Sequence, residues 1–123
     1  MITIDFSKNN IVVYTVVGEF TLEDYFDAIQ RLEASDQYNP DIDTIWDFTR
    51  ATGEKLTMDD IYTIAENNQK LASDRKKGWK VAVVAGSEFD YALGRMYEAY
   101  ADLVDNRIEI FKSIDEARKW MAQ

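Results

Sequence analysis

Short apolar segments alternate with amphipathic helical segments along the whole chain, and this order constrains the fold more than any other feature. Two strand patterns open the chain, at residues 2–6 and 11–17, and Asn9 and Asn10 between them tolerate the positive φ of a tight turn. Three further strand patterns cover residues 44–48, 79–85 and 107–111. Such alternation is typical of α/β folds, in which right-handed helical crossovers connect parallel strands.

We therefore predict an α/β fold with a single mixed, mostly parallel sheet and the element order β-β-α-β-α-β-α-β-α. The first strand is expected to run antiparallel to the others, while the spatial order of the strands does not follow from the pattern. Residues 11–17 and 79–85 are too continuously apolar for edge strands, so both are predicted to be central. A length of 123 residues fits one domain that spans residues 1–123.

A residue suited to capping a helix N-terminus precedes each helical pattern. These residues are Thr21, Thr57, Ser87 and Ser113. The spacing predicts helices over about 21–34 and 57–73, then one helix after Ser87 and another after Ser113. Gly94 inside the third helix indicates a close approach of that helix to the sheet.

The second helix is predicted to turn one mostly apolar stripe inward. Its members are Met58, Ile61, Ala65, Asn68 and either Leu71 or Ala72, so one amide interrupts the stripe. The basic residues 75–77 follow at the carboxyl end of this helix, where the dipole favours cations. We expect them to form a solvated helix end rather than a ligand site.

Charge and composition exclude several function classes. The chain has no cysteine and no histidine, which removes thiol nucleophiles, the commonest general base and the commonest transition-metal ligand. We therefore expect that the protein is not an enzyme and binds no cofactor. A net charge of −9 disfavours nucleic acid as a partner. The longest apolar run, residues 81–85, is far too short to span a membrane, and the start has no leader pattern, so we expect a soluble cytoplasmic protein.

Ligands of open parallel sheets collect where strands end at their carboxyl edge, and the first candidate site lies there. A carboxylate, a hydroxyl and a guanidinium lie within four residues at the end of the third strand, at Asp47, Thr49 and Arg50. Asp47 either orients Arg50 toward an anionic or carbonyl group, or it serves locally by pairing with Arg50 or capping a loop amide. The local interpretation is the better supported of the two.

The second candidate segment follows the fourth strand and contains Ser87, Phe89, Tyr91 and Arg95. Arg95 is three residues before Glu98 and could form an ordinary ion pair within the helix. Alternatively, Arg95 reaches over the rim and meets Asp47 between two strand ends. The aromatic residues around the third helix are expected to belong mostly to the core, with an apolar pocket open at the rim as the alternative.

The chain resembles the SpoIIAA-like family over essentially its whole length. The residues that carry this resemblance are Trp46-Asp47-Phe48-Thr49-Arg50, Lys80-Val81-Ala82-Val83-Val84, Gly94-Arg95-Met96-Tyr97 and the tail from Ile110 to Trp120. The resemblance implies a fold similar to the anti-sigma-factor antagonist (STAS) domain and to the lipid-binding CRAL-TRIO domain, in small bacterial proteins. It implies no catalytic residues.

Anti-sigma-factor antagonists carry a phosphorylatable Ser or Thr near the start of the helix after the third strand. Thr57 is the nearest positional counterpart here and is a weak candidate phosphosite, because Asp59 and Asp60 follow it.

The sequence leaves two leading functions open. One is a non-enzymatic module that binds a protein partner, and the other is a carrier or sensor of a small apolar or acyl ligand. A homodimer is also compatible with the aromatic content.

Overall fold

The structure is a computed structural model that describes residues 1–75, 78–86, 88–101 and 106–123, with the backbone alone for residues 88, 89, 100, 101 and 106. The strands are β1 (Ile2–Ser7), β2 (Ile11–Glu19), β3 (Asp43–Thr52), β4 (Trp79–Ala85) and β5 (Asn106–Phe111). The helices are α1 (Leu22–Glu33), α2 (Met58–Ser73), α3 (Glu88–Ala101) and α4 (Ile114–Met121). This order of elements is the predicted one.

The described strands form one five-stranded sheet in the order β1-β2-β3-β4-β5. β1 pairs antiparallel with β2, and the other neighbouring strands pair parallel. The predicted mixed, mostly parallel α/β sheet is therefore confirmed. Both strands predicted to be central, β2 and β4, have a neighbour on each side, and every residue of β4 is buried.

Local sequence signals set the turn and the helix starts. Asn9 and Asn10 adopt φ angles of 66° and 61°, the left-handed values that Asn tolerates better than most residues. Thr21 and Thr57 each cap a helix through a complete capping box, in which the carboxylates of Asp24 and Asp60 accept a hydrogen bond from the backbone amide of the cap residue. These boxes satisfy amides that the first turn of a helix leaves without partners.

The helices cover the two faces of the sheet unequally. Helices α1, α2 and α3 pack on one face, where Leu32, Ile64 and Tyr97 belong to the same apolar cluster as Val12 and Val83. Helix α4 packs on the other face, against a cluster of its own with Ile11, Val13, Ile45, Ala82 and Val84. Successive right-handed crossovers between neighbouring strands place their helices on one face, which accounts for this arrangement.

Three expectations about individual elements are wrong. β3 continues to Thr52 instead of ending at Phe48, because residues 50–52 pair with the end of β2 after an irregularity in the register. Met58 does not face inward: 49% of it is exposed, whereas Ile61, Ile64, Ala65, Asn68 and Leu71 are the buried residues of α2.

Arg75 is also not part of a solvated helix end. It is buried, and its guanidinium carbon lies 4.8 Å from the ring centroids of both Tyr38 and Trp79. Planar guanidinium groups stack favourably on aromatic faces, so packing rather than the helix dipole positions this residue.

In the described part of the chain, no helix is both long and apolar enough to cross a membrane.

Candidate functional site

A pocket opens between α2, α3 and the carboxyl ends of the central strands. It contains about 640 Å³ of space, including its opening to solvent. Its described lining consists of Phe20, Tyr25, Trp46, Phe48, Gly53, Leu56, Ile61, Ile64, Val83, Asp90, Leu93, Gly94 and Tyr97. This is the rim at which ligands of parallel sheets collect, because the connecting loops diverge there.

Aromatic rings form much of the pocket wall. The rings of Trp46 and Phe48 lie nearly parallel, with ring centroids 5.8 Å apart and 3° between their planes. Phe20 meets Phe48 edge to face at 5.0 Å, and Tyr25 stacks on Trp46 at 5.8 Å. Residues 46 and 48 share a face of β3 because side chains alternate along a strand, so the strand itself aligns the two rings.

One helix wall of the pocket comes from positions i, i+3, i+4 and i+7 of α3. These residues are Asp90, Leu93, Gly94 and Tyr97. A Cβ atom at Gly94 would lie 3.1 Å from the Cδ1 atom of Ile110 and 3.7 Å from Val83. The predicted close approach of this helix to the sheet is therefore confirmed, and Gly94 allows it.

Asp90 is the charged residue of the described lining, and it joins two walls of the pocket. Only 8% of Asp90 is exposed, and its Oδ1 atom accepts a hydrogen bond of 2.8 Å from the backbone amide of Gly53. Gly53 belongs to the loop between β3 and α2, 37 residues earlier in the chain. The bond therefore fixes both the start of α3 and this loop at the pocket.

Burial changes the ionisation of the two tyrosines in the pocket wall. Desolvation raises the pKa of Tyr25 to about 12, although a hydrogen bond from Asn67 opposes the shift. Desolvation also raises the pKa of Tyr97 well above its usual value. Both phenols are therefore neutral at physiological pH and add no charge to the pocket wall.

The structure contradicts the alternative in which Arg95 meets Asp47 between two strand ends. Trp46 and Phe48 both face the pocket, and side chains alternate along β3. Asp47, which lies between them in the sequence, is therefore on the α4 face. α3 packs on the pocket face, which places Arg95 on the opposite side of the sheet. The two residues therefore cannot share one crevice.

Both residues have local partners instead. The Oδ1 atom of Asp47 accepts hydrogen bonds from the backbone amide of Thr49 at 3.0 Å and from its hydroxyl at 2.7 Å. Arg95 donates to the hydroxyl of Tyr91 and forms an ion pair of 3.0 Å with Glu98. Asp47 therefore caps a local amide, and Arg95 is held within its own helix. The hydrogen bond to Tyr91 is also the largest reason why the pKa of Arg95 is raised.

The remaining predicted site residues are scattered relative to the pocket. Arg50 is exposed on β3, opposite Val17 of β2. Thr57 is exposed and caps α2 through a hydrogen bond of 3.1 Å from the amide of Asp60. Its phosphorylation stays a prediction. Ser87 and the side chain of Phe89 lie outside the described residues.

Sequence reasoning missed most of the pocket lining. Ile61 was predicted to face inward and Trp46 to lie in the core, but neither was assigned to a site. One available signal was the spacing of Asp90, Leu93, Gly94 and Tyr97, which places a carboxylate on the inward face of a helix. Among the described residues, no group of three or more carboxylates is placed to hold a metal ion.

Comparison with solved structures finds a similar chain in an uncharacterized protein from the DUF3478 family with a SpoIIAA-like fold, from Shewanella loihica PV-4. The two chains are 21% identical, with a TM-score of 0.62, and the similarity covers 98% of this chain and 91% of that chain. No family model and no curated protein matches this chain. The structural similarity confirms the predicted SpoIIAA-like fold.

Proposed function

We propose that this domain is a non-enzymatic binding module that holds a small apolar ligand in the pocket between α2, α3 and the sheet. The observation that carries the proposal is the pocket itself, whose described lining is aromatic or aliphatic apart from Asp90 and two glycines. Small-molecule sites are typically concave and apolar, with a few polar groups that orient the ligand. The position at the carboxyl edge of the strands supports the same interpretation.

Burial of apolar surface supplies the main favourable contribution to binding at such a site. A ligand that buries roughly 200 Å² of apolar surface gains about 5 kcal/mol from desolvation, before the loss of its translational freedom. The walls are already formed, because β3 aligns Trp46 with Phe48 and the Gly53–Asp90 hydrogen bond fixes the loop. A preformed pocket of this kind reduces the ordering cost of binding.

The titratable groups of the described lining support binding rather than catalysis. General acid–base catalysis works best when the pKa of the catalytic group lies near the operating pH. Tyr25 and Tyr97 have raised pKa values and stay neutral there. No nucleophile paired with a base is found in the described lining, so the proposal assigns the pocket no reaction.

Calorimetric titration with 2-phenylethanol, a small neutral aromatic molecule, tests this function. Leu56→Trp places a larger side chain at the pocket wall, and we expect it to weaken binding at least about tenfold. Val17→Trp is the matched control, because Val17 is 36% exposed on β2, outside the described lining. Equal binding by all three proteins, or no binding by the wild type, would count against the proposal.

A protein-binding function is the second candidate, and one surface feature favours it. Met58 and Tyr62 are one turn apart on α2 and are 49% and 52% exposed, which is unusual for large apolar side chains. The SpoIIAA-like fold is consistent at most with an anti-sigma-factor-antagonist-like domain, which supports this candidate by analogy alone. Capture from cell extract with wild type and Met58→Glu tests it, since identical sets of captured proteins would argue against this surface.

A further inference from the structure

The pocket combines aromatic walls with one buried carboxylate. Phe20, Tyr25, Trp46, Phe48 and Tyr97 supply the rings, and Asp90 supplies the charge. We infer that the ligand of this pocket is an organic cation, an aromatic or alkyl ammonium whose apolar part fills the cavity. This inference rests on the proposed function and specifies the ligand class of the same site.

Two electrostatic effects favour a cation there. The face of an aromatic ring carries partial negative charge, so a nearby ammonium group is attracted to it, most strongly where water is excluded. The carboxylate of Asp90 adds a full negative charge, and only 8% of the residue is exposed. Coulomb attraction is less screened at such a site than at the protein surface.

The hydrogen bond from Gly53 holds this charge in place. Asp90 accepts it at 2.8 Å through Oδ1, so the carboxylate cannot turn away from the pocket without leaving a buried amide unpaired. The charge is thus fixed before any ligand arrives. The net charge of −9 adds a long-range field that raises the local concentration of cations.

The same features disfavour an anionic ligand such as a fatty acid. The described lining contains no lysine or arginine that could pair with a carboxylate head group. Arg95, on α3, is 55% exposed and binds Tyr91 and Glu98 instead. A carboxylate in the pocket would therefore meet Asp90 as a like charge.

A matched set of three ligands tests this inference. 2-Phenylethylamine, 2-phenylethanol and phenylacetate share the aromatic ring and differ mainly in charge, and calorimetry at neutral pH gives their affinities. We expect the ammonium to bind about tenfold more tightly than the alcohol. Phenylacetate should bind most weakly, and added salt should reduce the preference for the ammonium.

Two variants locate the source of the preference. Asp90→Asn removes the charge but keeps an oxygen that accepts the Gly53 hydrogen bond, and we expect it to bring the affinities for ammonium and alcohol within about twofold. Glu54→Gln is the matched control, because Glu54 follows Gly53 in the chain but is exposed. It should retain the full preference of the wild type.

Each outcome has a distinct meaning. If the alcohol binds the wild type as tightly as the ammonium, the inference is overturned while the proposed function stands. If none of the three binds, both are overturned. A preference that survives in Asp90→Asn, with folding confirmed by circular dichroism, overturns the assignment to Asp90. If Asp90→Asn fails to fold, the order of the three affinities in the wild type still tests whether the pocket prefers a cation.

Discussion

The carboxylate of Asp90 accepts a hydrogen bond from the backbone amide of Gly53 across 2.8 Å, and this contact joins α3 to the loop that follows β3. Both residues line the same pocket, so one bond determines the position of two of its walls. The residues are 37 positions apart in the chain. Disrupting this contact should therefore affect stability as well as ligand binding.

Asp90→Ala removes the acceptor and leaves the amide of Gly53 buried without its partner. We expect the free energy of unfolding to fall by about 1–3 kcal/mol, measured by urea denaturation. Asp36→Ala is the control, because Asp36 is exposed in a turn, and it should change stability by less than about 0.5 kcal/mol. Equal stabilities of the two variants would show that the buried bond contributes nothing.

Gly86 lies at the end of β4, where the chain passes very close to β3. A Cβ atom there would be 2.5 Å from the carbonyl oxygen of Thr49 and 2.6 Å from its Cα atom. Backbone atoms cannot move aside cheaply, so Gly86→Ala should lower the free energy of unfolding by about 1–3 kcal/mol.

Gly94→Ala is the matched comparison for this substitution. The new methyl group would meet the end of the Ile110 side chain at 3.1 Å, and that side chain can move. Alanine also favours a helix by up to about 1 kcal/mol over glycine. We therefore expect a change within about 1 kcal/mol, and a larger loss than in Gly86→Ala would contradict this account.

Lys80 is a buried lysine that binds the end of α4. Its Nζ atom donates to the backbone oxygens of Trp120 at 3.1 Å and Gln123 at 3.0 Å. Lys80→Met removes both bonds and the charge near the carboxyl end of the helix, so we expect a loss of about 1–3 kcal/mol. Hydrogen exchange should increase in α4 more than in α1.

Lys55→Met is the control for that variant. Lys55 is 64% exposed and pairs with Glu19 at 3.4 Å, and an exposed ion pair of this kind contributes at most about 1 kcal/mol. Unchanged exchange in α4 of Lys80→Met would show that Lys80 does not hold this helix to the sheet.

The buried tyrosines predict a loss of stability at alkaline pH. Burial raises the pKa of Tyr25 from 10.0 to about 12, and it also raises the pKa of Tyr97 and Tyr14. Above pH 10 the unfolded chain therefore loses these protons before the folded protein does, and stability falls as pH rises toward 12. Each tyrosine contributes a slope of up to about 1.4 kcal/mol per pH unit.

Urea denaturation between about pH 9 and pH 11 measures this slope. Tyr25→Phe removes one of the buried phenols and should make the decline shallower. Tyr62→Phe changes a residue that is 52% exposed and should leave the decline as in the wild type. A steeper or unchanged decline in Tyr25→Phe would contradict the role assigned to burial.

The elements of the fold could be predicted because their signals are local. Capping residues such as Thr21 and Thr57 mark helix starts through bonds that span three residues. Apolar runs such as residues 81–85 identify strands buried on both faces. The end of β3 was predicted four residues too early, because residues 49–52 carry no apolar pattern and residues 50–52 are held by pairing with β2.

The site could not be predicted to the same extent, because it depends on contacts between distant segments. The sequence could place Asp47 and Arg95 near the carboxyl edge of the sheet. Only the strand order shows that α3 lies on the face opposite Asp47. Asp90 resembles an ordinary acidic residue of a first helical turn. Its buried hydrogen bond comes from Gly53, which the sequence does not link to it.

Methyl NMR during titration with 2-phenylethanol tests the central claim most directly, because one sample reports on both faces of the sheet. The account predicts that methyl signals of Ile61, Ile64 and Leu93, which line the pocket, shift as ligand is added. Signals of Ile11 and Val13, which pack against α4, should stay in place. Shifts confined to residues on the α4 face, or no shifts at the highest ligand concentration, would contradict the assignment of this pocket as the binding site.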